Sequence, residues 1–247
     1  REYLRAKENF IKGINLFEEK NQLNGFESDK NVGITYADLA DIDYFISGDL
    51  DNAERNYVNS INNKNDNSSI RYKLGYINYR DEDYEDAVNH FLVASKDKDS
   101  DLNLMLALGN SLSLKDDNFA SVGYYQRLIE LLDFEIEKKD IILPQINEED
   151  TYLVDMYLKA TNNIGVGQFR IARETGNSNL NGQSMNNLQE SLRAWDSFTR
   201  NPVTMVRLPG TNLAEQNLKY IINPVSTFEP AIYTDIPRIM QNEKGLE

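Results

Sequence analysis

Along the chain, apolar positions recur with a helical step and are cut at short intervals by polar turns. Leu74, Ile77 and Leu108, Leu112 mark first helices; Ala87, Phe91, Ala94 and Tyr125, Leu128 mark the helices that follow. Residues three and four apart share one face of a helix, so each run predicts an amphipathic helix, and the short breaks predict antiparallel pairs. Each pair is a helical hairpin, and the fold class expected is all-α.

The pairs themselves repeat. Ala53, Ala87 and Ser121 are spaced by 34, as are Tyr57, Phe91 and Tyr125, and Asp49, Asp83 and Asp117. Ala40, Leu74 and Leu108 keep the step, with Gly75 and Gly109 directly after the last two. A small residue belongs where two helices of a hairpin approach closely, and an aromatic four residues on fills the adjoining space on the same face. An acidic residue just before the second helix can cap its free N–H groups and favour its dipole.

With these positions the chain resembles the tetratricopeptide-repeat family. From Ser68 to Asp101, Leu74-Gly75, Tyr79, Asp83-Tyr84, Ala87, Phe91 and Ala94 match the family pattern at nearly every signature position. From Ile34 to Asn67 the chain keeps Ala53, Tyr57 and Ser60 but has Asp41 for the glycine and Leu50 for the turn tyrosine. From Leu102 to Glu135 it keeps Leu108-Gly109 and Tyr125 but has Ser121 for the alanine. The resemblance implies a superhelical solenoid of antiparallel helix hairpins whose job is to hold protein partners.

Four segments follow. Residues 1–33 read as a trailing second helix, with Tyr3, Ala6, Phe10 and Gly13 at second-helix spacing, followed by a polar insertion. That helix lacks a first helix before it, so the chain is expected to be part of a longer protein. Residues 34–135 hold three repeats. Residues 136–200 read as a degenerate fourth with a lengthened first helix carrying Ile164-Gly165, a polar loop at 175–184, and Ser191, Trp195 and Phe198 in its second helix. Residues 201–247 contain five of the six prolines, so the repeat stops near Arg200. A short helix is expected near Asn212–Ile221. Beyond it Pro224, Pro230 and Pro237 forbid a continuous helix, and Val225, Phe228, Ile232, Tyr233, Ile236, Ile239 and Met240 would form a bare apolar strip if left free. Residues 222–240 are therefore expected to lie extended against helices of this chain or of a neighbouring one.

Composition narrows the function. Forty acidic against 26 basic residues give a formal net charge of −14, which repels phosphate backbones, so nucleic acid is not an expected partner. No apolar run is long enough to cross a bilayer. Cysteine is absent and His90 is the one histidine, which leaves no inventory for thiol catalysis or a His/Cys metal site. Without a positioned acid or nucleophile, His90 reads as a surface or packing residue. The clusters Glu148-Glu149-Asp150 and Asp97-Asp99-Asp101 lack calcium-loop glycine and glutamate spacing and read as helix starts and loops. Asparagine is abundant, a trait of AT-rich genomes. No cofactor, metal or catalytic residue is expected, and the chain reads as a non-enzyme.

The candidate partner-binding residues lie on the inner face of the first helices: Tyr72, Lys73, Tyr76, Tyr79 and Arg80, with Asn110 in the next repeat. Tyrosine and arginine offer large contact areas with polar tips, although such tyrosines can also simply pack against neighbouring helices. Of the family's carboxylate clamp for chaperone termini, only Asn110 falls at its position. Composition also looks similar to that of spirochaete tetratricopeptide proteins of the periplasmic flagellar collar. That likeness implies a scaffold assembling with itself or with other subunits in the periplasm; the alternative is a cytoplasmic peptide-binding adaptor or co-chaperone.

Overall fold

Among the described residues, ten α-helices and one π-helical turn are joined by turns two to five residues long where the chain can be followed continuously. The computed structural model describes residues 2–24, 28–96, 99–141, 150–200, 212–224 and 228–238. Among these there is no strand, and consecutive helices pack in adjacent pairs, an all-α helical-repeat fold. The chain divides into two compact units, Arg1–Lys98 with Arg238–Glu247, and Asp99–Pro237.

The first unit contains α1 (Glu2–Asn24), α2 (Lys30–Ile42), the π-turn Asp43–Ser47, α3 (Leu50–Asn62), α4 (Ser68–Arg80) and α5 (Tyr84–Ser95). Helix α1 packs on α2 through Ile14, Tyr36 and Leu39, with Phe10 and Val32 alongside. The α2/α3 and α4/α5 hairpins carry the repeat register into the core, where Ala53, Tyr57, Ala87 and Phe91 are all fully buried. Gly75 is there because of Phe91: a methyl group on it would stand 2.6 Å from the ring. The same holds for Gly109 and Tyr125 in the second unit, at 2.4 Å. Asp41, which replaces this glycine in the α2/α3 hairpin, accepts a hydrogen bond from the Tyr57 hydroxyl (2.5 Å) and pairs with Lys73 (2.6 Å). Its departure from the family pattern is thus used, with a carboxylate bound to the ring that elsewhere presses on a glycine.

Capping follows the acidic register. Asp49, Asp83 and Asp117 each accept a hydrogen bond from the N–H three residues on, at 3.1, 3.2 and 3.1 Å. The residue before each cap is left-handed, with φ of 70° at Gly48, 63° at Glu82 and 64° at Asp116. These are helix-end positions that favour glycine, and only the first hairpin has one. Glu82→Gly is expected to raise stability by about 0.5–1 kcal/mol, the relieved left-handed cost less the added freedom of the unfolded chain. Urea unfolding of the two proteins checks this; a loss of stability would place a side-chain contact of Glu82 above its backbone cost.

The second unit contains α6 (Leu102–Leu114), α7 (Asn118–Lys138), α8 (Thr151–Thr175), α9 (Ser178–Arg200) and α10 (Leu213–Ile222). Helix α6 packs on α7, α7 on α8 and α8 on α9, while α10 lies against both α9 and α8. The short helix expected near Asn212–Ile221 is α10, capped by the Asn212 side chain on the Glu215 N–H (3.2 Å). The polar loop expected at 175–184 is not there. Thr175 ends α8, Gly176 turns left-handed, and Ser178 already begins α9. Tertiary contacts override the weak helix propensity of that stretch: Ser184 donates to the Gly165 carbonyl (2.7 Å) and Asn187 donates to Gln168 (2.9 Å).

Candidate functional site

The first helices α4, α6 and α8 are buried almost all round, so their exposed face is small. On α4, Tyr72, Lys73, Tyr76 and Tyr79 are buried, and only Arg80 is exposed. Tyr72 packs against Phe91 (5.3 Å between ring centres), Tyr76 against Tyr44 (5.9 Å) and Tyr79 against Tyr84 (5.5 Å). Lys73 pairs with Asp41 and lies near the rings of Phe45 and Tyr57. Tyr44 comes from the π-turn, and the guanidinium of Arg238 lies over its ring at 4.3 Å. Burial pushes the Tyr44 hydroxyl above its ordinary pKa, against the opposing pull of that cation.

His90 stands half-buried, with Nδ1 3.2 Å from an Arg71 guanidinium nitrogen, while Arg71 also grips Asp66. Burial pushes the imidazole below its ordinary 6.5, and the Arg71 cation pushes the same way. Above that ordinary value the ring is neutral folded and unfolded, and stability is undiminished. As pH falls from there towards the lower folded value, the unfolded chain takes up the proton first and stability is lost. Thermal melting from about pH 7.5 to about pH 5.5 is expected to show a steeper decline for the wild type than for His90→Gln. Parallel declines would mean that His90 does not titrate differently on folding.

Asn110 belongs to the second unit, where it joins a chain of buried amides. The Tyr125 hydroxyl donates to Asn110 Oδ1 (2.7 Å), and Asn163 Nδ2 lies 3.0 Å from the same oxygen. Asn162, Asn163 and Asn217 complete the set; all four asparagines have no solvent exposure. Asn162 Nδ2 donates to Asn163 Oδ1 (3.0 Å), and Asn217 Nδ2 donates to Asn162 Oδ1 (2.9 Å).

What these amides hold is the chain from Phe228 to Pro237, which has no helix or strand of its own. Tyr233 N–H donates to Asn163 Oδ1 (2.8 Å) and its carbonyl accepts from Asn163 Nδ2 (3.0 Å). Ala231 is held the same way by Asn217, at 2.9 and 2.8 Å, and its carbonyl also accepts from Asn162. In extended chain the N–H and C=O of residues two apart point to one side. An asparagine amide offers the donor and acceptor of a peptide group, so Asn217 and Asn163 serve as two rungs of a sheet edge. Residues 228–237 lie against α8 and α10 through these bonds; Val225, Ile239 and Met240 lie outside the described residues.

Side chains complete the grip. Tyr233 enters a cluster of Val154, Leu158 and Ala194, with Tyr157, Trp195 and Leu213 around it, and its hydroxyl accepts from the Leu213 N–H (3.0 Å). Burial pushes the Tyr233 hydroxyl up to about 12. Ile232 is buried as well. Lys159 pairs with Asp235 (2.5 Å) and Asp155 (2.6 Å), and Arg173 with Glu229 (3.1 Å). Burial alone would lower Lys159, but the two carboxylates outweigh it and hold the ammonium above its ordinary value. At Asp155, burial outweighs the attraction of Lys159 and raises the carboxyl.

The asparagines apart from Asn110 were not legible as a site, since abundance masked them. One signal was available: Asn162 and Asn163 interrupt a helix face between Ala160 and Ile164, where an unpaired amide would be costly. Among the described residues, no group of three or more acidic or histidine side chains is placed to hold a metal ion, and no helix is long and apolar enough to cross a membrane. Asp101 caps α6, accepting from Asn103 N–H (3.0 Å), in keeping with its reading as a helix start; Asp97, Glu148 and Glu149 lie outside the described residues.

No protein-family model matches the sequence, and no curated protein matches it. Among solved structures the chain is similar to MamA AMB-1, at 16% identity and a TM-score of 0.49 over 83% of this chain and 91% of that one.

Proposed function

We propose that the chain is a tetratricopeptide-type scaffold, a non-enzyme that holds protein segments on its first helices. The observation that supports this is the pair of buried amides, Asn163 and Asn217, each closing on both backbone groups of one residue of an extended chain. Such a pair does mechanical work and no chemistry. It grips peptide, whatever its sequence, where water is excluded. Within the second unit the partner surface we propose includes Asn110 on α6; in the first unit, taken by itself, Tyr72, Lys73, Tyr76, Tyr79 and Arg80 on α4 are proposed as partner-binding residues, of which Arg80 is exposed.

The assembly we propose is a multi-subunit one, the periplasmic collar of a spirochaete flagellar motor, on the strength of the compositional likeness. Fractionation of the native cells tests the compartment: release by osmotic shock fits the collar, and retention in the cytoplasm fits the adaptor. The scaffold itself is tested by recovering the tagged full chain from those cells and identifying co-purifying proteins. A defined set should accompany the wild type and be lost from Asn163→Ala/Asn217→Ala or from Tyr76→Ala/Arg80→Ala at unchanged helicity. A set unaffected by either pair would remove this surface from the function.

A further inference from the structure

The contacts of the docked segment separate into two kinds. Those to Pro230, Ala231 and the backbone of Tyr233 are made to peptide groups, with Arg170 reaching the Pro230 carbonyl at 3.5 Å. They do not depend on which residues stand there. The side-chain readout includes the Tyr233 ring and hydroxyl, the buried Ile232, Glu229 facing Arg173, and Asp235 facing Lys159.

The two ends are also the weakest part of the grip. Arg173 and Glu229 are 59% and 68% exposed, so solvent screens that pair, and in the other Asp235 is 65% exposed against a largely buried Lys159. Asn110, whose Oδ1 binds Asn163, is fully buried, and its Nδ2 finds no partner among the described residues.

We infer that Glu229–Asp235 is a displaceable latch, occupying in cis a groove whose partner is an extended segment with a tyrosine set between two carboxylates, four residues before it and two after. This rests on the scaffold reading and names the chemistry of its partner. The tyrosine is specified by its hydroxyl as well as its ring, because phenylalanine would leave the Leu213 N–H at the start of α10 without its acceptor. The carboxylates are specified by Lys159 and Arg173. The tether to α10 keeps the latch at a high effective concentration, so a free partner competes at a disadvantage until the latch is loosened.

The test uses the full chain and a labelled synthetic peptide of the sequence Glu-Pro-Ala-Ile-Tyr-Thr-Asp, read by fluorescence anisotropy. Glu229→Lys/Asp235→Lys loosens the latch at exposed positions and leaves the helices of the groove as they are. It should bind the peptide at least about tenfold more tightly than the wild type does. A peptide with phenylalanine for tyrosine should bind about tenfold more weakly. Adding Asn163→Ala to the loosened chain should abolish binding. If the loosened, fully helical chain does not take the peptide, the segment is a permanent cap and the inference is overturned. Concentration-dependent dimers in sedimentation, formed by the loosened chain and dissolved by the peptide, would overturn it in favour of a second copy as occupant. Loss of peptide binding with native partners still recovered would sink the latch alone; loss of those partners from the Asn163→Ala/Asn217→Ala chain decides the scaffold reading separately.

Discussion

Asn163→Ala is expected to free the C-terminal segment from the second unit and to lower that unit's stability by about 3 kcal/mol. The alanine removes both partners of the Tyr233 peptide groups, and it takes a donor from the Asn110 and Tyr125 oxygens. Each buried polar group left without a partner costs about 1–3 kcal/mol, and the small side chain adds a cavity. The two amides act together, so the loss should spread beyond one residue. Hydrogen exchange at Ala231, whose N–H is held by Asn217, is expected to accelerate along with that at Tyr233. Urea unfolding and exchange mass spectrometry of the full chain measure both effects. Protection that persists at Tyr233 in the variant would mean that the aromatic pocket around Val154, Leu158 and Ala194 holds the segment without the amide.

Ala87→Arg is expected to be the most damaging single change in the first unit, at about 3–5 kcal/mol. Ala87 has no solvent exposure, one turn before the fully buried Phe91. The α4/α5 interface is closed tightly enough that a methyl on Gly75 would meet Phe91 at 2.6 Å. An arginine there must force the helices apart or bury an unpaired cation, and the packing offers no inexpensive third course. The melting temperature should fall by many degrees, with α4 and α5 losing exchange protection first. An unchanged melting temperature would refute the assigned hairpin register.

Much of this molecule was readable from residues alone, and the reason is distance along the chain. The small residue, the aromatic four on, and the aspartate before the second helix each act within one hairpin, so Ala87, Phe91 and Asp83 report their roles locally and repeat them every 34 residues. The prolines at 224, 230 and 237 likewise excluded a helix by their own covalent geometry, and the apolar residues between them required cover. Tertiary structure alone decided the rest. Ser178–Asn187 is helical because α8 supplies partners for Ser184 and Asn187, which propensity cannot foresee. The π-turn after α2, which places Tyr44 beneath Arg238, leaves no periodic mark. The clamp joins Asn163 to residues 53 positions before it and 70 after it. An amide carries no periodicity to announce such a role, and only the burial of four asparagines together, far from water, turns an abundant surface residue into the grip on a backbone.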